Sequence, residues 1–479
     1  MLRKFVNDFM LGFSINSFQN DQGNDSMAVN TDWYKWSTDK TMENMNYVSG
    51  GIGNGPDFWN NFRKYIDKIV NAGLNSVKIG IEWSRIFPES TENVDINYKS
   101  NSSGDVYSAE FDDNLYKMLD IRADRKSLEH YESIFKYIRS KNIRIIVTLW
   151  DGTLPLWIHD PVECNRNLHN SKNKGWLNKN TVLEFGKYSY YISKRFGSYI
   201  DYFNTMNRPN YFAINSYLYG NIEGYPPGLS DFSLLMEAYR NMAYAHNLAY
   251  LAIKKSINRP AGLTMEVPYF TQEMDNDNNI FMVNFVKYLY YNLFINSALY
   301  GNFDMNLTGE FKESRPYEFN GTDFIGISYY GSIPVRYVQN EGVDIRYRFA
   351  FIPCTNCSDD FHEIHPDGIK YVAFEIYNTY RKPVIITENG IATESDDKRC
   401  DFIKHTLIAL HQAVKDYHIN LKGYFYRSLT DTYEWAHGFS YKYGILNDNI
   451  NFKDTGSMDL YSNVAKNNGI EDEKYRAYE

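Results

Sequence analysis

The sequence predicts an α/β fold, a single (β/α)8 TIM barrel with surface insertions. Three observations carry that expectation. Short apolar, β-branched stretches alternate with segments of helical periodicity along the whole chain, the pattern of parallel strands joined by crossover helices. Eight such strands can be traced, and closure into a barrel is the economical arrangement for that number. A doubly wound open sheet would call for a glycine-rich phosphate loop after the first strand, and none follows it.

The first predicted strand is Met10–Ser17, ending just before Gln19. Residues 58–72 repeat Phe58, Phe62, Ile66 and Ile69 at helical spacing and stop at Gly73. The second strand is read over Ser76–Phe87, up to the turn at Pro88, and a helix follows over Leu128–Ile143. Arg144–Trp150 is the third strand, with Asp151 at its tip. Thr181–Phe196 reads as a helix, and Tyr202–Met206 as a short fourth strand ending at Asn207-Arg208-Pro209. A long helix over Phe232–Ile257 leads to the fifth strand, Gly262–Tyr269. Next come a helix over Phe281–Leu299 and the sixth strand, Phe324–Tyr330. The helix Gly368–Tyr380 precedes the seventh strand, whose apolar run Val384-Ile385-Ile386 ends at Thr387-Glu388 before an Asn-Gly turn. Ile403–Tyr417 and Leu421–Leu429 supply the last helix and the eighth strand. Residues 91–125 are polar and irregular, an expected surface insertion. Residues 335–352 alternate (Tyr337, Val343, Ile345, Tyr347, Phe349) like an inserted hairpin. All of this is expected to form one domain over residues 1–479.

Composition narrows the partners. With 43% hydrophobic and 23% charged residues the chain has the make-up of an ordinary globule, and its net charge of −9 argues against nucleic acid or an anionic membrane surface. No apolar run approaches the roughly 18 residues that would give a membrane span, and the first residues lack the apolar core of a secretory leader, so the expected location is cytoplasmic. The 42 tyrosines suit sugar-facing pockets, though a Tyr-, Asn- and Ile-rich chain equally reflects biased codon usage. Cys354 and Cys357 have metal-knuckle spacing, but no second pair completes a site; a local loop or a disulfide is the expectation, and no metal or cofactor is called for.

The strand tips hold the chemistry. A carboxylate at the end of a buried strand is costly to desolvate, and Glu388 is joined at the predicted barrel mouth by Gln19, Lys78, Asp151, Asn207, Arg208, Tyr329 and Arg427. Gln, Asn, Tyr and Glu converging on one opening suit a polyhydroxylated ligand, whose hydroxyls both donate and accept. Trp435 and other tryptophans offer stacking faces for a sugar, or fill the core.

These residues lie in motifs. Asn30–Trp36, Glu82–Pro88, Leu154–Pro161, Thr205-Met-Asn-Arg-Pro-Asn210, Ile386-Thr-Glu-Asn-Gly390 and Ser428–Phe439 occur in the order in which glycoside hydrolase family 1 carries them, and the chain resembles that family, its archaeal β-glycosidase branch in particular. The resemblance implies a (β/α)8 barrel acting as a retaining β-glycosidase on a carbohydrate or glycoside, without a cofactor. Such enzymes hold two carboxylates about 5–5.5 Å apart, one attacking the anomeric carbon and the other serving as acid and base. Glu388 matches the nucleophile. The acid/base belongs to an Asn-Glu-Pro motif that here reads Asn207-Arg208-Pro209. Gln19, Asn207, Tyr329, Glu434 and Trp435 match family positions that contact sugar hydroxyls or support the nucleophile, with Tyr329 in both roles. Lys78 replaces a supporting Arg, Asp151 a sugar-binding His, and Arg427 the Trp that floors the sugar subsite. Members are often oligomeric, so a homo-oligomer fits the resemblance, although the chain itself does not reveal it. Three readings follow: an ordinary β-glucosidase or β-galactosidase; altered glycosyl chemistry with an anionic leaving group; and an inactive barrel that binds carbohydrate or scaffolds a partner.

Overall fold

The computed structural model describes residues 2–471 except 24–25, 54, 310–320, 340–347 and 447–451. At its centre eight parallel strands close into a barrel: β1 (Met10–Ile15), β2 (Ser76–Gly80), β3 (Arg144–Trp150), β4 (Tyr202–Asn207), β5 (Ala261–Glu266), β6 (Phe324–Tyr329), β7 (Val384–Asn389) and β8 (Leu421–Tyr426). Each strand pairs with the next in sequence, and β8 returns to β1 with Gly423 opposite Met10. The helices α1 (Phe58–Asn71), α2 (Arg125–Ser140), α3 (Asn180–Phe196), α4 (Phe232–Ser256), α5 (Asp277–Lys287), α6 (Gly368–Tyr380), α7 (Asp396–Tyr417) and α8 (Gly456–Asn467) follow the strands in turn. The expected (β/α)8 barrel is therefore present.

Local sequence explains the elements. In α1 the residues Phe58, Phe62, Tyr65, Ile66 and Ile69 form one buried face, and the Asp57 carboxylate caps the first turn by accepting from Asn60 N. Inside the barrel, Met10, Ile146, Phe324, Ile385 and Phe425 fill the lower end. Above them lies a polar layer, in which Thr264 donates to Asn204 and bonds Thr387, and Asn204 donates to Thr148. Side chains of the next layer reach the mouth.

Several boundaries differ from expectation. β1 stops at Ile15, and Gln19 sits on the short helix Ser17–Asn20. β2 stops at Gly80 because the Glu82 side chain caps a helical turn, Trp83–Ile86, by accepting from Ser84 N. β5 ends at Glu266; Pro268 cannot donate to a ladder, and Tyr269–Gln272 leaves the barrel to pair with Ser332–Tyr337. Ser332–Tyr337 also pairs antiparallel with Phe349–Phe351, while Val343, Ile345 and Tyr347 lie outside the described residues. The stretch 91–125 is ordered rather than irregular. It holds a hairpin, Tyr98–Ser100 against Val106–Ala109, and a helix, Asp113–Arg122. Val106, Phe111, Leu115 and Leu119 anchor it in the core. Cys354 and Cys357 form a disulfide. Among the described residues no helix is long and apolar enough to cross a membrane.

Candidate active site

Glu388 is the penultimate residue of β7, at a point where the register with both flanking strands shifts. Thr387 already faces the interior through its bond to Thr264 (2.9 Å). The irregularity turns the next side chain the same way, as bulges beside functional sites do. Oε1 of Glu388 accepts from Lys78 Nζ (2.8 Å), Asn207 Nδ2 (3.0 Å) and Ser14 Oγ (3.1 Å). Oε2 accepts from the Tyr330 hydroxyl (2.9 Å) and Ser328 Oγ (3.4 Å), with Arg208 Nε 3.4 Å away. The side chain is 0% exposed. Burial alone would raise its pKa, but Lys78, Arg208 and Arg427 outweigh burial and hold the carboxyl well below the usual carboxylate range. Glu388 is thus an ionised carboxylate with both oxygens engaged.

Arg208 stands at the end of β4 with left-handed backbone (φ +52°), opening the short helix Pro209–Ala213. Its Nη1 donates to Glu266 Oε2 at 3.2 Å, and its guanidinium lies 4.7 Å from the Tyr211 ring centre. Burial opposes its charge; Tyr330, Glu388 and Glu266 more than restore it. One guanidinium therefore bridges two buried carboxylates. Glu266, at the tip of β5, also accepts from the Tyr290 hydroxyl (2.9 Å). Sequence reasoning missed it by running the fifth strand through to Tyr269. Pro268 was the signal that the strand, and hence its functional tip, ends earlier.

A second network sits beside the first. Arg427 Nη2 donates to Glu434 Oε2 (2.5 Å), which also accepts from Gln19 Nε2 (3.3 Å), while Thr432 Oγ1 donates to Glu434 Oε1 (2.7 Å). The Arg427 guanidinium lies 4.5 Å from the Tyr443 ring centre. Trp435 stacks on Phe18 at 6.0 Å and meets the edge of Phe212 at 5.0 Å. Asp151 accepts from Asn207 Nδ2 (2.8 Å); burial pushes its pKa up, Lys78 opposes that, and the charge on Glu388 adds to the rise. Beside it Gly152 has φ +97°, and a Cβ there would stand 2.3 Å from the Phe212 ring, so Phe212 closes that side of the cleft.

One expected residue faces elsewhere. The Tyr329 hydroxyl donates to the His365 carbonyl (2.5 Å), and it is Tyr330 that reaches Glu388. Alternation along a strand explains the correction: Ile325, Ile327 and Tyr329 point to the helical layer, whereas Ser328 and Tyr330 point to the mouth. Lys78, Asp151, Asn207, Arg208 and Glu388 are brought together in one network, and Gln19, Arg427 and Glu434 in the other. Above both, a cavity of about 470 Å³ opens at the barrel mouth, lined by residues that include Arg208, Glu266, Tyr330, His362, Arg427, Glu434 and Trp435. Glu388, Asn207, Asp151 and Gln19 lie beneath its floor, buried. Among the described residues no group of three His, Cys, Asp or Glu side chains is placed to hold a metal ion.

Eight parallel strands closed on themselves, with an ionised carboxylate and a polar cavity at the C-terminal face, define a barrel of the class that carries its chemistry on strand tips. The chain belongs to glycosyl hydrolase family 1, whose sequence model matches residues 121–470. It is 32% identical to a β-galactosidase of Saccharolobus solfataricus, over 98% of this chain and 96% of that one. To a β-galactosidase of Pyrococcus woesei it is 30% identical, over 97% and 98%. The crystal structure of the β-glycosidase from the hyperthermophile Thermosphaera aggregans superposes with a TM-score of 0.90 at 30% identity, covering 98% of each chain. A β-glucosidase mutant described as derived from a hyperthermophilic tetrameric structure superposes at 0.88 with 27% identity, over 98% and 97%.

Proposed function

We propose that this chain is a β-glycosidase-type protein that keeps Glu388 as its nucleophile, carries Arg208 at the acid/base position, and acts on carbohydrate donors whose leaving group departs without a proton. The observation that carries the reading is the Arg208 guanidinium, 3.4 Å from one oxygen of Glu388 and fixed on its far side by Glu266. A retaining reaction needs one carboxylate to attack and a second group to protonate the departing oxygen. A guanidinium cannot release that proton, and loss of general acid help costs roughly 10²–10⁴ in rate. Its planar fork is instead suited to an anionic leaving group such as a phosphate or carboxylate. The names of the relatives, β-galactosidases among them, support a β-linked hexose as the transferred group. The neighbour derived from a tetrameric structure supports a homo-oligomer.

The test is a 2-deoxy-2-fluoro-glycosyl donor with a dinitrophenolate leaving group, followed by intact mass and peptide mapping. A stable adduct on Glu388 is expected. A second reading, a non-catalytic carbohydrate-binding or scaffold barrel, is favoured by one specific observation: Glu388 has no exposed surface and both of its oxygens are occupied. Absence of adduct, with the protein folded, decides for that reading.

A further inference from the structure

Donors with an ordinary alcohol as leaving group still need a proton, and Arg208 has none to give. The cavity wall holds another group. His362 lines the mouth cavity together with Arg208, Glu266 and Tyr330, and its ring centre is 5.9 Å from that of Tyr330, whose hydroxyl donates to Glu388. Its Nδ1 is 2.9 Å from Asp360 Oδ2. Asp360 is fixed in turn: Ser358 Oγ donates to its Oδ1 (2.6 Å), and the Tyr443 hydroxyl donates to its Oδ2. Ser358 Oγ also accepts from the backbone N of His362 (3.1 Å). With Nδ1 committed to Asp360, Nε2 is the nitrogen left for a molecule in the cavity.

The geometry points to His362, oriented by Asp360, as the proton donor and acceptor for glycosides in this cavity, a role that rests on Glu388 being the nucleophile. In the first step a Glu388 oxygen bonds to the anomeric carbon while the bond from that carbon to the aglycone oxygen breaks. The leaving oxygen takes the Nε2 proton, and the imidazole becomes neutral. In the second step water adds to the anomeric carbon, its proton passes to Nε2, and Glu388 leaves as a carboxylate. The groups facing His362 set its charge. Burial disfavours the imidazolium, Asp360 and then Glu266 favour it, and Arg208 opposes them; the balance lies above the ordinary histidine value. Asp360 itself, despite burial, is held well below the usual carboxylate range by His362, Ser358 and Tyr443. The 2.9 Å contact between Nδ1 and Asp360 therefore favours the protonated imidazole.

The experiment compares aryl β-glycosides with phenol and dinitrophenol leaving groups, together with the fluoro-glycosyl trap, in the parent chain and in His362→Gln. The expected result is a fall in kcat/KM of about 10²-fold for the phenyl glycoside, within the range for general acid catalysis. The kcat/KM of the dinitrophenyl glycoside and the rate of trapping at Glu388, both set by the first step, should change less than threefold. The alkaline limb of the phenyl pH profile should vanish in His362→Gln. Equal slowing of both glycosides, or no slowing of either, while the trap still labels Glu388, overturns the assignment and leaves the nucleophile reading standing. Failure of the trap in the parent chain overturns both. If His362→Gln does not fold, Asp360→Asn carries the same comparison: it should lower the alkaline limb of the phenyl profile, and an unmoved limb refutes the assignment.

Discussion

Glu388→Gln separates two electrostatic descriptions of the barrel mouth. A carboxylate held against its own solvation for catalysis is strained, and neutralising it commonly stabilises a protein. Here the carboxylate is also the counter-ion of Lys78, whose side chain is 1% exposed and whose contacts are Glu388 Oε1 (2.8 Å) and Ser14 Oγ (3.1 Å). Removing one partner of a buried ion pair costs about 3–5 kcal/mol. Arg208 keeps Glu266, so it adds little to that loss. Asp151, whose pKa is raised by burial and further by Glu388, is freed from that repulsion in the variant, which brings the expectation to the lower end. At about 2.1 cal/mol/K per residue the unfolding entropy of 479 residues is about 1 kcal/mol/K, so ~3 kcal/mol corresponds to a Tm lower by about 3 °C. Scanning calorimetry at pH 7 reads this directly. Lys78→Met combined with Glu388→Gln removes both charges together and should recover at least half of the loss. A Glu388→Gln protein that melts at or above the parent temperature, or a double variant showing the sum of the single losses, would refute the ion-pair account.

Three further outcomes follow from the same structure. Tyr330→Phe removes a hydrogen bond to a charged group and should cost about 1.5–3 kcal/mol in denaturant unfolding, whereas Tyr329→Phe loses a bond to a neutral carbonyl and should cost about 0.5–1.5 kcal/mol; the reverse order would contradict the strand alternation described for β6. Gly152→Ala combines a left-handed backbone with a contact on Phe212 and should destabilise by about 1–3 kcal/mol, and a neutral result would show that Phe212 moves aside freely. His159 is opposed by burial but raised to about 9 by its bond to Asp32 (2.7 Å). A raised histidine pKa means that the folded state binds more protons than the unfolded one between pH 6.5 and about 9. Stability on the order of 3 kcal/mol, fully present below pH 6.5, should drain away across that window. In His159→Gln the slope should flatten, and an unchanged slope would remove His159 as its source.

The barrel was readable because buried parallel strands are nearly continuous apolar runs and their crossover helices keep a period of 3.6. β3 and α6 begin and end where the pattern placed them. The mouth was harder to read, because there local rules give way to tertiary ones. Tyr329 and Tyr330 are chemically identical neighbours, and only counting outward from Ile325 and Ile327 assigns the correct one. Glu266 was hidden by an apolar run that continued past it, although Pro268 marked the break. The position of Glu388 depends on a register irregularity that no composition signals. Residues 91–125 looked unstructured because their core contacts, such as Phe111 and Leu115, are few and scattered among polar residues.

The three mouth cations are not scattered. Lys78 meets Glu388, Arg208 meets Glu388 and Glu266, and Arg427 meets Glu434. All are at most 5% exposed on their side chains, where an unpartnered charge would be strongly destabilising. A cleft whose chemistry had merely lapsed would be free to fill with apolar side chains, which often stabilise as well as a buried ion pair does. Here the charges stand in matched pairs around one ionised carboxylate, with Glu266 completing a bridge to Arg208. That pairing constrains each residue through the others: an Arg208→Glu substitution would set four carboxylates, at 208, 266, 388 and 434, against Lys78 and Arg427. Arg208→Glu alone is therefore expected to leave aryl β-glycoside turnover no higher than in the parent chain, because the charges around position 208 are balanced for a cation, and a gain in turnover by that single substitution would refute this account.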